Sequence, residues 1–212
     1  MAALAVSGWR IATRPNFGAV DPGRVYRCAQ PKDNLDQILG RYGLKTVLNL
    51  RGGSEADDWY LNEVRATVRR NVDFYDLPLS ASRRPTRREL LVVLDLLDRC
   101  RYPLLIHCKS GADRTGLVSG LYRLSVLREP PERALGAFSI GYGHVPLFGP
   151  ERLHEPFVEY AAWLEGQHLA HTPARFRGWV EREYRSDDAR VDFPPLNTGP
   201  RPRLATRTPQ RR

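Results

Sequence analysis

The chain has 212 residues, 42% of them hydrophobic and 27% charged, which suits one globular domain with a buried core and some terminal decoration. Its three cysteines, Cys28, Cys100 and Cys108, show neither CxxC nor CxxH spacing, and the odd, small count argues against a disulfide scaffold or a structural zinc site while leaving room for a single reactive thiol. The net charge of +9 invites a nucleic-acid partner, but the last 14 residues carry five arginines and no acid, leaving +4 for the rest, and no nucleic acid is expected.

No apolar run approaches the ~18 residues that span a bilayer. The opening Met1-Ala-Ala-Leu-Ala-Val6 is short and lacks a preceding basic region, so no signal peptide is read and a cytoplasmic protein is expected. Residues 25–28 read as a strand, followed by a helix from about Asn34 with Leu35, Ile38 and Leu39 on one face. Thr46-Val-Leu-Asn-Leu50 is a second strand, ended by Arg51-Gly-Gly53. Ser54 suits the cap of a helix carrying Leu61, Val64 and Val68 on one side, and residues 73–79 form a third strand. Thr86 and Glu89 make a capping box before a helix with Leu90, Leu94 and Leu97 at helical spacing.

Pro103-Leu-Leu-Ile-His107 is wholly apolar up to its histidine, as a strand in the middle of a parallel sheet is. A loop follows, then a buried helix over residues 115–127. Beyond Pro131 the pattern is helical with loops, including a helix over residues 151–164, and Trp163, Trp179 and Tyr184 read as packing residues. The β-α-β-α order implies an α/β fold: a mostly parallel sheet of four to five strands with helices on both faces. The expected layout is an N-terminal extension (1–15), one domain (16–185) and a Pro/Arg-rich disordered tail (186–212).

The chemistry concentrates in His107-Cys-Lys-Ser-Gly-Ala-Asp-Arg-Thr-Gly116. A thiol is a weak nucleophile while it stays protonated, and the mouth of a helix stabilises the thiolate. Cys108 between strand and helix therefore reads as a nucleophile. The backbone amides of Lys109, Ser110, Gly111, Ala112, Asp113 and Arg114 can bind phosphate oxygens, with Gly111 supplying the left-handed backbone of an anion nest. Arg114 offers a planar fork for two equatorial oxygens. Thr115 can donate to the sulfur, Gly116 lets the helix pack close, and His107 reads as an organiser of the loop. No metal and no cofactor are expected.

This string resembles the signature loop of the protein tyrosine phosphatase superfamily, in its dual-specificity branch. Tyr26-Arg-Cys-Ala-Gln-Pro31, Thr46-Val-Leu-Asn-Leu-Arg51, Pro78-Leu-Ser-Ala-Ser82 and Tyr142-Gly-His-Val-Pro146 resemble bacterial atypical members over roughly residues 16–165. The resemblance implies a cysteine-phosphatase fold, a thiol-phosphate intermediate and no metal. It also implies an Asp acid from the loop between the third strand and the next helix, yet residues 80–85 hold no carboxylate. Asp76 is the nearest candidate and Asp113 the second.

Lys109 directly after the cysteine also resembles phosphoinositide phosphatases, and Arg83 and Arg84 could add charge at the mouth. Asn49 and Arg51 should end the second strand near the loop, Asn49 as a buttress. Cys28 and Cys100 are read as buried apolar cysteines, with a disulfide to Cys108 the other possibility. The expected partner is a phosphorylated protein or a phosphoinositide or inositol phosphate substrate. The alternative is a phosphate-binding pseudophosphatase with little turnover, for lack of an acid.

Overall fold

All five residues of one strand, Leu104–Cys108, are buried, as a run of Leu-Leu-Ile demands when both faces of a sheet are covered. That strand is the centre of the molecule. The computed structural model describes residues 16–187 and the backbone of Arg203 and Leu204. The expected N-terminal extension and nearly all of the expected tail lie outside these residues.

Five strands precede residue 187: β1 (Gly18–Asp21), β2 (Val25–Ala29), β3 (Thr46–Asn49), β4 (Asp73–Asp76) and β5 (Leu104–Cys108); β6 (Arg203–Leu204) is a two-residue strand beyond them. Their spatial order is β1-β2-β5-β3-β4-β6. β2, β5, β3 and β4 run parallel, while β1 and β6 pair antiparallel at the two edges. The chain thus lays down β2, moves outward through β3 and β4, and returns to insert β5 between β2 and β3.

The helices follow from this path. α1 (Leu35–Arg41) and α2 (Asp58–Arg69) cover one face. There Leu35, Ile38, Leu39 and Ala66 pack on Val47, Phe74 and Leu105. α3 (Arg87–Arg99), α4 (Asp113–Ser125), α6 (Glu155–Gly166) and α7 (Pro173–Arg182) cover the other, over Leu48, Leu104 and Ile106. The four-residue α5 (Pro131–Ala134) bridges α4 and α6. The capping box is present at α3: Thr86 Oγ1 accepts from the Glu89 amide and the Glu89 carboxylate accepts from the Thr86 amide at 2.7 Å.

Several sequence expectations shift. Asp57, not Ser54, is the residue before α2; Ser54 instead donates from Oγ to Asp57 at 2.9 Å. The buried side of α2 is Glu63, Ala66 and Thr67, while Leu61, Val64 and Val68 are only half-buried. The period was right but the face is rotated, because the helix buries a carboxylate that hydropathy assigns to solvent. The third strand stops at Asp76, although the amides of Leu77 and Leu79 still bond to Asn49 and Leu50. The helix expected from residue 151 splits into a 3-10 turn (Pro150–Leu153) and α6, and α4 begins two residues earlier than expected. β1 has no sequence counterpart in the expectations.

Candidate active site

Ligands in open parallel sheets bind outside the carboxyl ends of the strands, where the strand order reverses. Here that point is the end of β5, flanked by Ala29 of β2 and Asn49 of β3. Cys108 sits there, 1% exposed. Its sulfur accepts the Gly111 amide at 3.3 Å. Gly111 takes φ +72°, and a Cβ on it would lie 2.5 Å from the Ala29 nitrogen and 2.6 Å from the Cys28 carbonyl carbon. Backbone cannot yield as a side chain can, so the nest requires glycine. Lys109 and Ser110 are exposed, at the rim of the nest.

Arg114 lies in the first turn of α4. Its Nη1 donates to the carbonyls of Leu50 (3.3 Å) and Leu79 (3.4 Å), which joins the loop to the ends of β3 and β4. Gly116 is packed so closely that a Cβ would meet the Phe138 ring at 2.8 Å. Thr115 is fully buried, but its hydroxyl has no hydrogen-bond partner among the described residues. Gly111, rather than Thr115, donates to the sulfur.

Strand alternation sorts the remaining residues. Ile106 and Cys108 face the α3/α4 side, whereas Leu105 and His107 face the α1/α2 side. His107 is fully buried there, with its Nε2 3.4 Å from Glu63, a contact too poorly aligned to count as a hydrogen bond. Glu63, 1% exposed, also accepts from Gln30 Nε2, and Gln30 Oε1 accepts from Arg51 at 3.3 Å. Arg51 stacks on Trp59 at 4.0 Å.

Asn49 and Asp76 share that same side: Asn49 Nδ2 donates to Asp76 at 3.1 Å, and Asn49 Oδ1 accepts the Arg51 amide at 2.9 Å. Asn49 therefore buttresses the ends of β3 and β4 rather than the loop itself. Asp76 is two strands away from His107 in register, and its carboxylate faces away from the Cys108 side.

Other expected neighbours are committed elsewhere. Arg84 makes a two-pronged pair with Glu159 (2.5 and 2.6 Å) and a bond to the Tyr184 hydroxyl at 3.2 Å, while Arg83 pairs with Glu89 at 2.9 Å. Lys109 is exposed on the loop, and Arg51 bonds to Gln30, whose backbone amide donates to the Lys109 carbonyl at 3.3 Å. Cys28 lies beside His107 on the opposite sheet face from Cys108, and Cys100 ends α3; both are buried free thiols, pushed up from the ordinary range mainly by burial, Cys100 to about 11.

Arg27, 2% exposed, has no role in the sequence reading. It reaches from β2 to donate to the carbonyls of Gly111 (2.8 Å), Ala112 (3.3 Å) and Ala137 (2.7 Å), and it stacks on Tyr142 at 3.9 Å. Burial pushes its guanidinium down to about 10, against the pull of Tyr142 and Cys108. Asn16 completes the brace, donating to the carbonyls of Ser110 (2.9 Å) and Tyr142 (2.7 Å). The signal was available: an arginine inside an otherwise buried strand must satisfy its donors on neighbouring carbonyls.

Asp113 is where the structure adds most. Its carboxyl group shares a hydrogen bond with His144 Nδ1 at 2.8 Å, and His144 Nε2 meets His154 Nε2 at 2.8 Å.

Similarity to known proteins agrees with this geometry. Many solved structures share the fold, among them the following two. Pseudomonas aeruginosa TpbA, as a Cys-to-Ser variant with phosphotyrosine, matches 80% of this chain and 98% of its own, with TM-score 0.55 and 23% identity. The core of the Saccharomyces cerevisiae PP-IP phosphatase Siw14, solved with citrate, matches 72% and 93%, with TM-score 0.55 and 18% identity. In sequence, OCA1 of Mycosarcoma maydis, which bears a tyrosine-protein phosphatase name, is 31% identical over 133 residues, 58% of this chain and 81% of that one. The sequence model of the family described as "DSP-PTPase phosphatase fused to NAD+ kinase" matches residues 12–138. The chain belongs to this family of dual-specificity and tyrosine phosphatase domains.

Proposed function

We propose that this phosphatase hydrolyses phosphate monoesters through a thiol-phosphate on Cys108. The observation that carries the reading is the nest itself: a buried sulfur at the end of β5, an amide aimed at it from Gly111, and Arg114 one helical turn on. Cys108 attacks phosphorus, and the amides of residues 109–114 with the Arg114 fork hold the equatorial oxygens as their charge develops. Water then releases phosphate and the thiolate leaves.

The proton for the leaving oxygen comes from Asp113. It is the carboxylate within the loop, whereas Asp76 is engaged by Asn49 on the other side of the sheet. Thr115 is kept as a packing residue of the loop, and no metal or cofactor enters. The substrate is a phosphotyrosine-type phosphoprotein or an inositol-phosphate-type headgroup. The exposed Lys109, joined to Arg51 through Gln30, favours a ligand carrying more charge than one monoester. A cytoplasmic location suits such substrates, and among the described residues no helix is long and apolar enough to cross a membrane.

The deciding experiment is turnover of an activated aryl phosphate by the wild type and by Cys108→Ser. Hydrolysis abolished in the variant is expected. Binding without turnover in the wild type would make the chain a phosphate-binding module instead. Asp113→Asn should slow substrates with basic leaving groups by about 10²-fold or more, and Asp76→Asn should not; the reverse result would return the acid to Asp76.

A further inference from the structure

Behind Asp113 stand two imidazoles that the reading above does not use. His144 is 2% exposed and lies between Asp113 and His154, with a 2.8 Å contact on each of its ring nitrogens. The arrangement is built, not incidental. Phe138 packs against both rings, its centroid 5.0 Å from His144 and 4.3 Å from His154, and the same ring closes on Gly116 of α4. The His144 amide bonds to the Ser139 carbonyl, and Asn16 fixes the Tyr142 carbonyl two residues away. The three groups stand in series. They do not converge on a point, and among the described residues no group of three or more His, Cys, Asp or Glu could hold a metal ion.

We infer that His144 and His154 form a proton relay that charges and discharges Asp113; this rests on the reading that Asp113 serves the leaving oxygen. The hydrogen-bond rules fix the route. With Asp113 ionised and both rings neutral, His144 Nδ1–H donates to the carboxylate, so His144 Nε2 must accept from His154 Nε2–H, and His154 Nδ1 carries the lone pair. A proton taken up at His154 Nδ1 then displaces the proton on His154 Nε2 to His144 Nε2, and the one on His144 Nδ1 to Asp113. Both rings end neutral with their protons on the opposite nitrogens, and Asp113 is a carboxylic acid. Asp113 gives its proton to the leaving oxygen as the S–P bond forms. In the second step it takes one from the attacking water, and the relay runs backwards to release it at His154. Each atom returns to its starting state, and no co-reactant is needed.

The charges around the entry ring suit a transient proton. His154 is half-buried and faces His144, Asp113 and Glu151; burial and then His144 push its imidazole down from the ordinary range, against the weaker pull of Glu151 and Asp113. It gives up an extra proton readily. His144 and His154 are positioning residues in this scheme, acting through Asp113.

The test is a series of aryl and alkyl phosphates of rising leaving-group pKa, with full pH profiles, on His144→Gln and His154→Gln. The rate loss should grow with leaving-group basicity and reach about tenfold or more at the basic end, part of the ~10²–10⁴ that acid help supplies. Added imidazole should restore part of the loss in His154→Ala, since the deleted ring is only half-buried. Profiles and leaving-group dependence that superimpose on the wild type in His154→Gln would overturn the relay, even if His144→Gln failed to fold. Loss of all hydrolysis, activated substrates included, in the wild type would instead sink the phosphatase reading.

Discussion

The two faces of the sheet hold the strand ends by different means. Under α3, α4, α6 and α7 a continuous apolar cluster runs up to Cys108 itself, with Leu117, Val118 and Leu121 of α4 packed on Leu104 and Ile106. Under α1 and α2 the apolar cluster is smaller, and near the strand ends it gives way to polar pairs: Gln30 with Glu63, Glu63 with His107, Asn49 with Asp76. Burying such groups is costly unless each finds a partner, so this side tolerates little change of register. One face sets where the helix after Cys108 sits. The other sets how the strand end that bears Cys108 is oriented.

That division can be broken at its seam. Gly111→Ala puts a methyl into the backbone of Cys28 and Ala29 and a side chain at positive φ, so overpacking of about 1–3 kcal/mol adds to about 1–2 kcal/mol of backbone strain. Denaturant unfolding should show a loss of several kcal/mol, and turnover should collapse with it. A pair of variants separates the faces. Leu94→Ala, in the apolar cluster, should cost about 2–5 kcal/mol of stability with kcat little changed. Glu63→Leu should cost about 1–3 kcal/mol for the Gln30 amide left unpaired, and it should lower kcat as well, because Glu63 lies against His107, the neighbour of Cys108 in the chain. Equal effects on kcat from the two variants would erase the distinction.

The smallest expected effect is in pH. His154 and His171, both beside the apolar-face helices, are pushed down mainly by burial; His171 is held by the Tyr160 hydroxyl and the Leu124 carbonyl. Below the ordinary histidine range the unfolded chain therefore binds more protons than the folded one. Their contribution is complete above about pH 6.5 and is lost as pH falls through the lowered folded values. Tm should drop between pH 7 and 5, and His171→Gln should make the drop shallower. A Tm independent of pH over that interval would contradict the sign.

What the sequence could show follows the same line. Local signals were legible: the Leu-Leu-Ile run of β5, the Thr86–Glu89 box, the left-handed Gly111 and the side chains of α1 were all visible as residue patterns. The expected face of α2 misled because Glu63 is buried against Gln30 and His107, thirty-three and forty-four residues away in the chain and outside α2. Asp76 lay near in sequence, but one step of strand alternation turns it from the Cys108 side. Arg83 and Arg84 looked free because Glu89, Glu155 and Glu159 reach them only in three dimensions. His144 and His154 were unreadable for the same reason: ten residues apart, they meet only after the 3-10 turn brings His154 back to Phe138.

Arg27 has a thermodynamic consequence. It holds the carbonyls of Gly111 and Ala112 on one side and the Ala137 carbonyl and Tyr142 ring on the other, while Asn16 couples Ser110 to Tyr142 in parallel. A phosphate that orders the amides of residues 109–114 must then also tighten residues 137–144. By reciprocity, whatever loosens that segment weakens anion affinity by the same factor. The loop of residues 108–114 and the histidine-bearing segment would then exchange their amide hydrogens as one cooperative unit, protected together by vanadate or phosphate, even though Asp113 and His144 are 31 residues apart in the chain.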